Sequence, residues 1–308
     1  MQANRRYLAD LSLIGVTLVW GATFVVVKRA ITDLPPFPFL AIRFGLAFLS
    51  LLPFVWLQRR HLNKRTVFQG LALGIFLFAG YAWQTIGLQY TTASNAGFIT
   101  GMSVVLVPAL VTVSTKSLPR PGMMLGIASA AIGLALLSLG EGYVLNRGDA
   151  MVLLCAFSFA LHIFLVGRYA PEGNATVLAA VQILAVSILS AGASFILPQP
   201  PLIFSGSAWF GLLLTAIPAT SLAFFLQTKM QQFTTPTHTA IIFSSEPVFS
   251  AVFAYFLAGE VLSDRGLLGA ALVLSGMLLA ELTGTESGAR LSEKQGKSRL
   301  RLASKRER

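Results

Sequence analysis

Charge is what this sequence has least of. Only 11% of its 308 residues are Asp, Glu, Lys or Arg, against about 25% in an ordinary soluble domain. That inventory cannot cover a water-facing surface, so most of the surface has to face lipid. Cys155 is the single cysteine, which excludes an intrachain disulfide. The three histidines are scattered, and H-E-x-x-H, C-x-x-C, G-x-S-x-G and nucleotide-binding glycine loops are all missing. The expectation is a chain that is not an enzyme, has no metal site and uses no cofactor.

Acidic residues number 12 against 23 basic ones, a formal net charge of +11. The placement of the excess argues against nucleic acid as a partner. Eight basic residues fall between Arg290 and Arg308, after the last apolar segment, and most others sit between apolar runs. Membrane proteins mark their cytoplasmic side in this way.

What the chain does have is apolar length: 55% hydrophobic residues and a mean hydropathy of +0.73. From Thr66 to Thr115, 50 residues pass without a Lys, Arg, Asp or Glu, and from Gly173 to Thr228 another 56. A membrane helix takes about 20, so each run must hold two helices, turning near "LQYTTAS" and "LPQPP". The predicted spans are 9–27, 37–57, 67–87, 93–113, 121–140, 149–168, 175–196, 206–227, 237–257 and 264–282. The first follows Arg5 and Arg6 but shows no small-x-small cleavage site, so it is read as a retained helix rather than a signal peptide. With the N-terminus inside, 18 basic residues face the cytoplasm and four (Lys28, Arg29, Arg147, Arg265) face outward. Both termini are therefore expected in the cytoplasm of a multi-pass protein of the cell inner (plasma) membrane.

The sequence also repeats. "QYTT" at 89–92 returns as "QFTT" at 232–235, and the same offset of 143 carries Gly126 onto Gly269 and Gly133 onto Gly276. The opening spans align more loosely, with Trp20 near Phe159. This gives an all-α integral membrane protein of ten transmembrane helices in two inverted five-helix repeats, 1–140 and 141–284, followed by a basic disordered tail at 285–308. Five is odd, so the second copy enters the membrane from the opposite side. Halves of that kind meeting at a midplane cavity suit alternating access by a secondary transporter without ATP. The alternative is a membrane-embedded interaction or sensor protein without transport. The tail is expected to meet anionic lipids, and a monomer is the expected state.

Polar residues inside the spans mark the candidate site, since a charge at the bilayer centre costs about 2.5–3.5 kcal/mol on insertion scales. Glu246 lies in the run from Thr239 to Ala258 with Pro247 beside it, Ser244 and Ser245 just before it and His238 two turns earlier. Its repeat counterpart is Ser103, with Pro108 a turn further on, so both helices are expected to bend. Trp20 and Thr23 stand in span one, Arg43 in span two, and Tyr81 and Gln84 in span three. Span four adds Asn95, Thr100 and Ser103, and the second half His162, Thr220 and Gln227. Arg43 is either a counter-charge in the interior or a side chain snorkelling to the interface. Glu246 has three readings: proton coupling, with sodium as the runner-up; a carboxylate fastening the bundle; or a contact to a small-molecule substrate.

Together the segments "WGATFVVVK" (20–28), "AIRFGLAFL" (41–49), "GLQYTTASNAGFIT" (87–100), "SSEPVFSAVFAYFLAGEVLS" (244–263) and "GLLGAALVLSGMLLA" (266–280) resemble the drug/metabolite transporter superfamily, EamA type. The resemblance spans about 9 to 282. It implies ten helices in a five-plus-five inverted repeat around a central cavity, and export or exchange of small metabolites, amino acids among them. It places the family's Glu-Pro on Glu246 and Pro247, and its Gly-Glu on Gly259 and Glu260. The first half departs from it, with Val104 at the proline position and Lys116-Ser117 at the Gly-Glu position.

Overall fold

A computed structural model of the chain describes residues 2–138, 146–197, 201–258, 263–280 and 282–283. Gly259, Glu260, Glu281 and the tail lie outside them. Among the described residues all regular structure is helical: α1 (Gln2–Asp33), α2 (Pro36–Leu57), α3 (Lys64–Gly87), α4 (Ala93–Gly101), α5 (Ser103–Thr115), α6 (Pro121–Ser138), α7 (Arg147–Tyr169), α8 (Ala175–Ile196), α9 (Gly206–Ala216), α10 (Ala223–Met230), α11 (Pro236–Phe243), α12 (Glu246–Ala258) and α13 (264–280).

The starts are written in the sequence. Asn63, Thr92, Asn146, Asn174, Ser205 and Thr235 each accept a backbone N–H of the first turn, at α3, α4, α7, α8, α9 and α11. Such caps satisfy donors that the helix itself leaves orphaned. Exposed faces carry large apolar residues such as Phe54, Phe68, Phe195 and Phe256, as lipid-facing helices do.

Among the described residues seven helices are long and apolar enough to cross a membrane: Tyr7–Asp33, Pro36–Leu57, Lys64–Gly87, Asn95–Thr115, Arg147–Tyr169, Ala175–Ile196 and Gly206–Met230. The chain is thus a multi-helix membrane-spanning protein. The other three expected spans are not among these seven. Pro121–Leu136 is apolar but shorter, 264–280 reaches the edge of the described residues, and the ninth is broken into α11 and α12 at Ser244–Ser245.

The breaks have local causes. Pro247 has no N–H for the carbonyl of Phe243, and its ring crowds that oxygen. The preceding turn tightens, with Ser245 N–H on the carbonyl of Ile242 at 3.0 Å. Ser244 and Ser245 turn their hydroxyls back onto the carbonyls of Ile241 (2.6 Å) and Ile242 (2.7 Å). The α4–α5 break at Met102 falls at the equivalent position one repeat earlier, since Met102 plus 143 is Ser245, although Val104 stands where Pro247 does. A third irregularity was not anticipated. Pro218 lies in a π-helical stretch, Ile217–Leu222, that joins α9 to α10, and it has no proline counterpart in the first half.

The two halves interleave. α2 packs on α8, α3 on α7 and α8, and α1 on α9, α10 and α12. Helices α6 and α13 cross on glycine. A methyl group on Gly126 would lie 2.7 Å from the backbone oxygen of Gly276, and one on Gly133 would lie 2.6 Å from that of Gly269. Without a hydrophobic drive between helices in lipid, such backbone approach is what holds them.

Candidate functional site

At the centre the helices part around a cleft enclosing about 710 Å³ of space not filled by protein atoms, part of it open to the exterior. Helix α1 contributes Trp20, Thr23, Phe24 and Val27, α3 contributes Leu77, Tyr81 and Gln84 with Leu88 just past its end, and α2 contributes Arg43. Thr100, Gly101 and Ser103 come from the α4–α5 break. The second half supplies Phe159, His162 and Ile163 from α7, Phe224 and Gln227 from α10, Phe243 from α11 and Glu246 from α12.

Both charged groups of this lining come from intramembrane positions. Arg43 is 3% exposed, so it does not snorkel. Its Nε donates to Thr220 Oγ1 at 2.8 Å, and its guanidinium carbon lies 4.9 Å from the centre of the Tyr81 ring and 5.5 Å from that of Phe44. Thr220 can serve because it sits on the π-helical stretch, where its hydroxyl also donates to the carbonyl of Thr215 at 2.8 Å. The same stretch frees the carbonyl of Ala219 for Trp20 Nε1 at 2.8 Å. Pro218 therefore sets two walls of the cleft.

Glu246 opens α12 directly after the break, and no described residue hydrogen-bonds to its carboxylate or pairs with it. Neither does Arg43 meet a carboxylate among the described residues. The cleft thus sets one guanidinium and one carboxyl group, with no ion pair to either among the described residues, amid Trp20, Phe24, Tyr81, Phe159, Phe224 and Phe243. The remaining polar groups are spoken for in part. Gln84 Nε2 donates to Thr100 Oγ1 at 3.2 Å, His162 Nε2 meets Gln182 Oε1 at 2.6 Å, and Gln182 continues to Thr228. Gln227 Oε1 is buried without a partner.

Of the sixteen residues singled out from sequence, the cleft gathers ten: Trp20, Thr23, Arg43, Tyr81, Gln84, Thr100, Ser103, His162, Gln227 and Glu246. Thr220 stands behind Arg43. Ser244 and Ser245 spend their hydroxyls on the helix break, Ser245 also lying 3.2 Å from the Thr17 hydroxyl. Pro247 shapes that break without lining the cleft, and Asn95 lies in the first turn of α4, its N–H on the Thr92 cap. His238 points elsewhere, to Asp10.

The apolar lining was not singled out, though the repeat carried the signal. With the offset of 143, Tyr81 maps onto Phe224, Gln84 onto Gln227, Thr100 onto Phe243 and Ser103 onto Glu246; with 139, Trp20 maps onto Phe159, Thr23 onto His162 and Phe24 onto Ile163. Every member of these pairs lines the cleft.

Comparison with known proteins agrees with this architecture. The profile of the EamA-like transporter family matches residues 7–139 and again 146–282. A protein of Archaeoglobus fulgidus, named only as an uncharacterized transporter, is 36% identical over 278 residues, covering 90% of this chain and 87% of its own. The uncharacterized transporter YyaM of Bacillus subtilis is 26% identical over 290 residues, 87% and 92% of the two chains. A crystal structure at 19% identity shares the fold with a TM-score of 0.76, over 91% of this chain and 98% of the other.

Proposed function

The chain belongs to the EamA-like transporter family, a secondary and non-enzymatic membrane transporter, and from that premise we propose that it moves small zwitterions with an apolar body, amino acids or close relatives, out of the cell. One observation carries this reading: Arg43 and Glu246 both face a single aromatic-lined cleft and neither has an ion-pair partner among the described residues. A carboxylate of the cargo would meet Arg43, an ammonium Glu246, and the rings would cover the body between them.

The route proposed is alternating access by ten spans arranged as two inverted repeats, 1–140 and 141–284, with both termini in the cytoplasm. The glycine contacts support the inversion. Under the offset of 143, Gly126 is equivalent to Gly269 and Gly133 to Gly276. Yet Gly126 touches Gly276, and Gly133 touches Gly269. Such exchanged pairing is the mark of a two-fold axis between equivalent helices.

Glu246 is proposed to serve one ligand at a time, cargo ammonium or proton, so that inward proton flow expels cargo. Sodium is the alternative coupling ion. The bundle-fastening role loses support because the carboxylate fastens nothing among the described residues.

Counterflow in proteoliposomes tests the cargo class. Labelled aromatic and branched aliphatic amino acids are compared with the corresponding amines and carboxylic acids, each lacking one charge. The zwitterions should exchange at least tenfold faster than either. Equal rates for all three classes, or exchange of none, would refute the proposed cargo.

A further inference from the structure

Seven buried side-chain atoms among the described residues have no hydrogen-bond partner, and five of them belong to Asp10, Thr234 and His238. All three residues sit where the start of α1 packs against the α10–α11 junction. His238 Nε2 lies 3.1 Å from Asp10 Oδ1, within ion-pair distance but not aligned as a hydrogen bond. His238 is 1% exposed and Asp10 3%. The pair is not part of the cleft. Asp10 is ten residues, about 15 Å along the helix, before Trp20, where the α1 wall of the cleft begins. Leu13 and Val16, between them on α1, pack with Met230, Ala240 and the cleft residue Phe243 into one apolar cluster, here called the plug.

The other end of the bundle has the counterpart. Asp10 plus 139 is Asp149, Thr234 minus 143 is Thr91, and His238 minus 143 is Asn95. There Thr91 Oγ1 donates to Asp149 Oδ1 at 2.6 Å, and Asp149 also accepts the N–H of Asn146. That clasp joins the threonine hydroxyl and the Asn146 backbone N–H to one carboxylate, and Lys28 Nζ donates to the carbonyl of Thr91 at 2.8 Å. At the α1 end the matching aspartate and threonine are both left unbonded, and an imidazole stands where the amide would be. At the position of His238 the other end carries Asn95, whose amide cannot take up a proton in this way.

We propose that Asp10 and His238 form a buried proton-binding site that locks the α1 end of the bundle shut. With one proton on the imidazole, the pair is an ion pair that holds α11 to α1. When that proton leaves, Asp10 is a buried carboxylate with no cation beside it, a state that draws in water and parts the helices. The closed form therefore binds one proton more than the open form, and acid favours closure. The other titratable or charged side chains carried nearby are Arg5 and Tyr7 on α1, Lys229 on α10, Arg168 and Tyr169 on α7 and Lys116 after α5. Arg5, Tyr7, Lys229, Arg168 and Lys116 are exposed. Arg5 stacks over Phe233 and Lys229 over Phe225. None of the six makes an ion pair or hydrogen bond with Asp10 or His238. His162 and Glu246 belong to the cleft beyond the plug.

The assignment rests on the cleft alternating between two openings, but its test needs no cargo and so fails or succeeds separately from the test of cargo class. Ala240, fully buried in the plug, is changed to Cys in a Cys155→Ser background. The full chain in lipid nanodiscs is labelled with a charged maleimide from roughly pH 6 to 9, a window spanning imidazole titration. Each rate is divided by that of Leu62→Cys, an exposed site, to remove the reactivity of the thiol itself. The corrected rate should rise with pH, at most tenfold per unit for one linked proton. His238→Asn, which installs the residue of the other repeat, and Asp10→Asn should each flatten the profile, while Thr91→Val should leave it unchanged. A flat profile in the parent would overturn the proposal. So would a slope that survives in a correctly folded His238→Asn or Asp10→Asn, or a rate that answers to sodium at fixed pH instead. If one variant does not fold, the parent profile and the other variant decide.

Discussion

Ser129 donates its hydroxyl to the backbone oxygen of Leu272 at 2.8 Å, and the two residues are 143 positions apart. That is the repeat offset itself, so a residue of α6 touches its own equivalent in α13. A two-fold axis relating the halves would pass between them, with the exchanged glycine contacts one turn to either side.

The first prediction concerns that crossing. Gly126→Val and Gly276→Val would each drive a side chain into the facing backbone, which cannot swing away as a rotamer can. Each should cost about 3 kcal/mol, the upper end for overpacking, read as a fall in thermal stability of the solubilised protein. Gly15, with nothing within 4 Å of an added methyl, is the control. Gly15→Ala should be neutral or raise stability by up to about 1 kcal/mol through helix propensity.

Topology is the second. Reporter fusions after Arg60, Tyr143 and Arg308 should read inside, outside and inside. An outside signal at Arg308 would leave an odd number of spans and break the inverted pairing of the halves.

The helical membrane architecture was legible because its causes are local and summed over long windows: charge-free length, capping residues and prolines each act within a few residues. Ten of the cleft residues were legible because a polar group in a membrane span has few reasons to exist. Phe24, Phe159, Ile163 and Phe224 were not, since an apolar residue facing a cleft and one facing lipid look alike in sequence. His238 was misplaced for a related reason. Its position two turns before Glu246 suggested a shared face, but the helix breaks at Ser244–Ser245, so the face does not continue. Asp10 lay at the edge of a predicted span, where a carboxylate has an innocent explanation at the interface, and only the packing of α1 on α11 shows it buried.

The third prediction follows from the π-helical stretch. Thr220→Val keeps the shape but removes the acceptor of Arg43 Nε, leaving part of a buried guanidinium unsatisfied. The loss should be about 1.5–3 kcal/mol for a hydrogen bond to a charged group, measured by thermal unfolding, and Thr220→Ser should restore most of it. If Thr220→Val is as stable as the parent, Arg43 takes its support from the Tyr81 and Phe44 rings instead.

The last prediction separates the two ligands proposed for Glu246. Glu246→Gln keeps size and much of the hydrogen-bonding capacity while removing both the charge and the proton site. If the carboxylate alternates between cargo ammonium and proton, two quantities fall together. Binding of a zwitterionic amino acid should weaken by about 1.5–3 kcal/mol, or roughly ten- to a hundredfold, and accumulation driven by an imposed pH gradient should vanish. A carboxylate used for coupling alone would lose the driven accumulation but keep binding and exchange. A carboxylate used for cargo alone would weaken binding, yet a pH gradient would still drive whatever cargo saturates the variant. Binding by calorimetry, exchange by counterflow and driven transport on this one variant distinguish the three, and the same measurements on Arg43→Gln give the reference. An arginine guanidinium stays charged through this range and relays no proton, so the loss of Arg43 should weaken binding while leaving gradient-driven transport of saturating cargo in place.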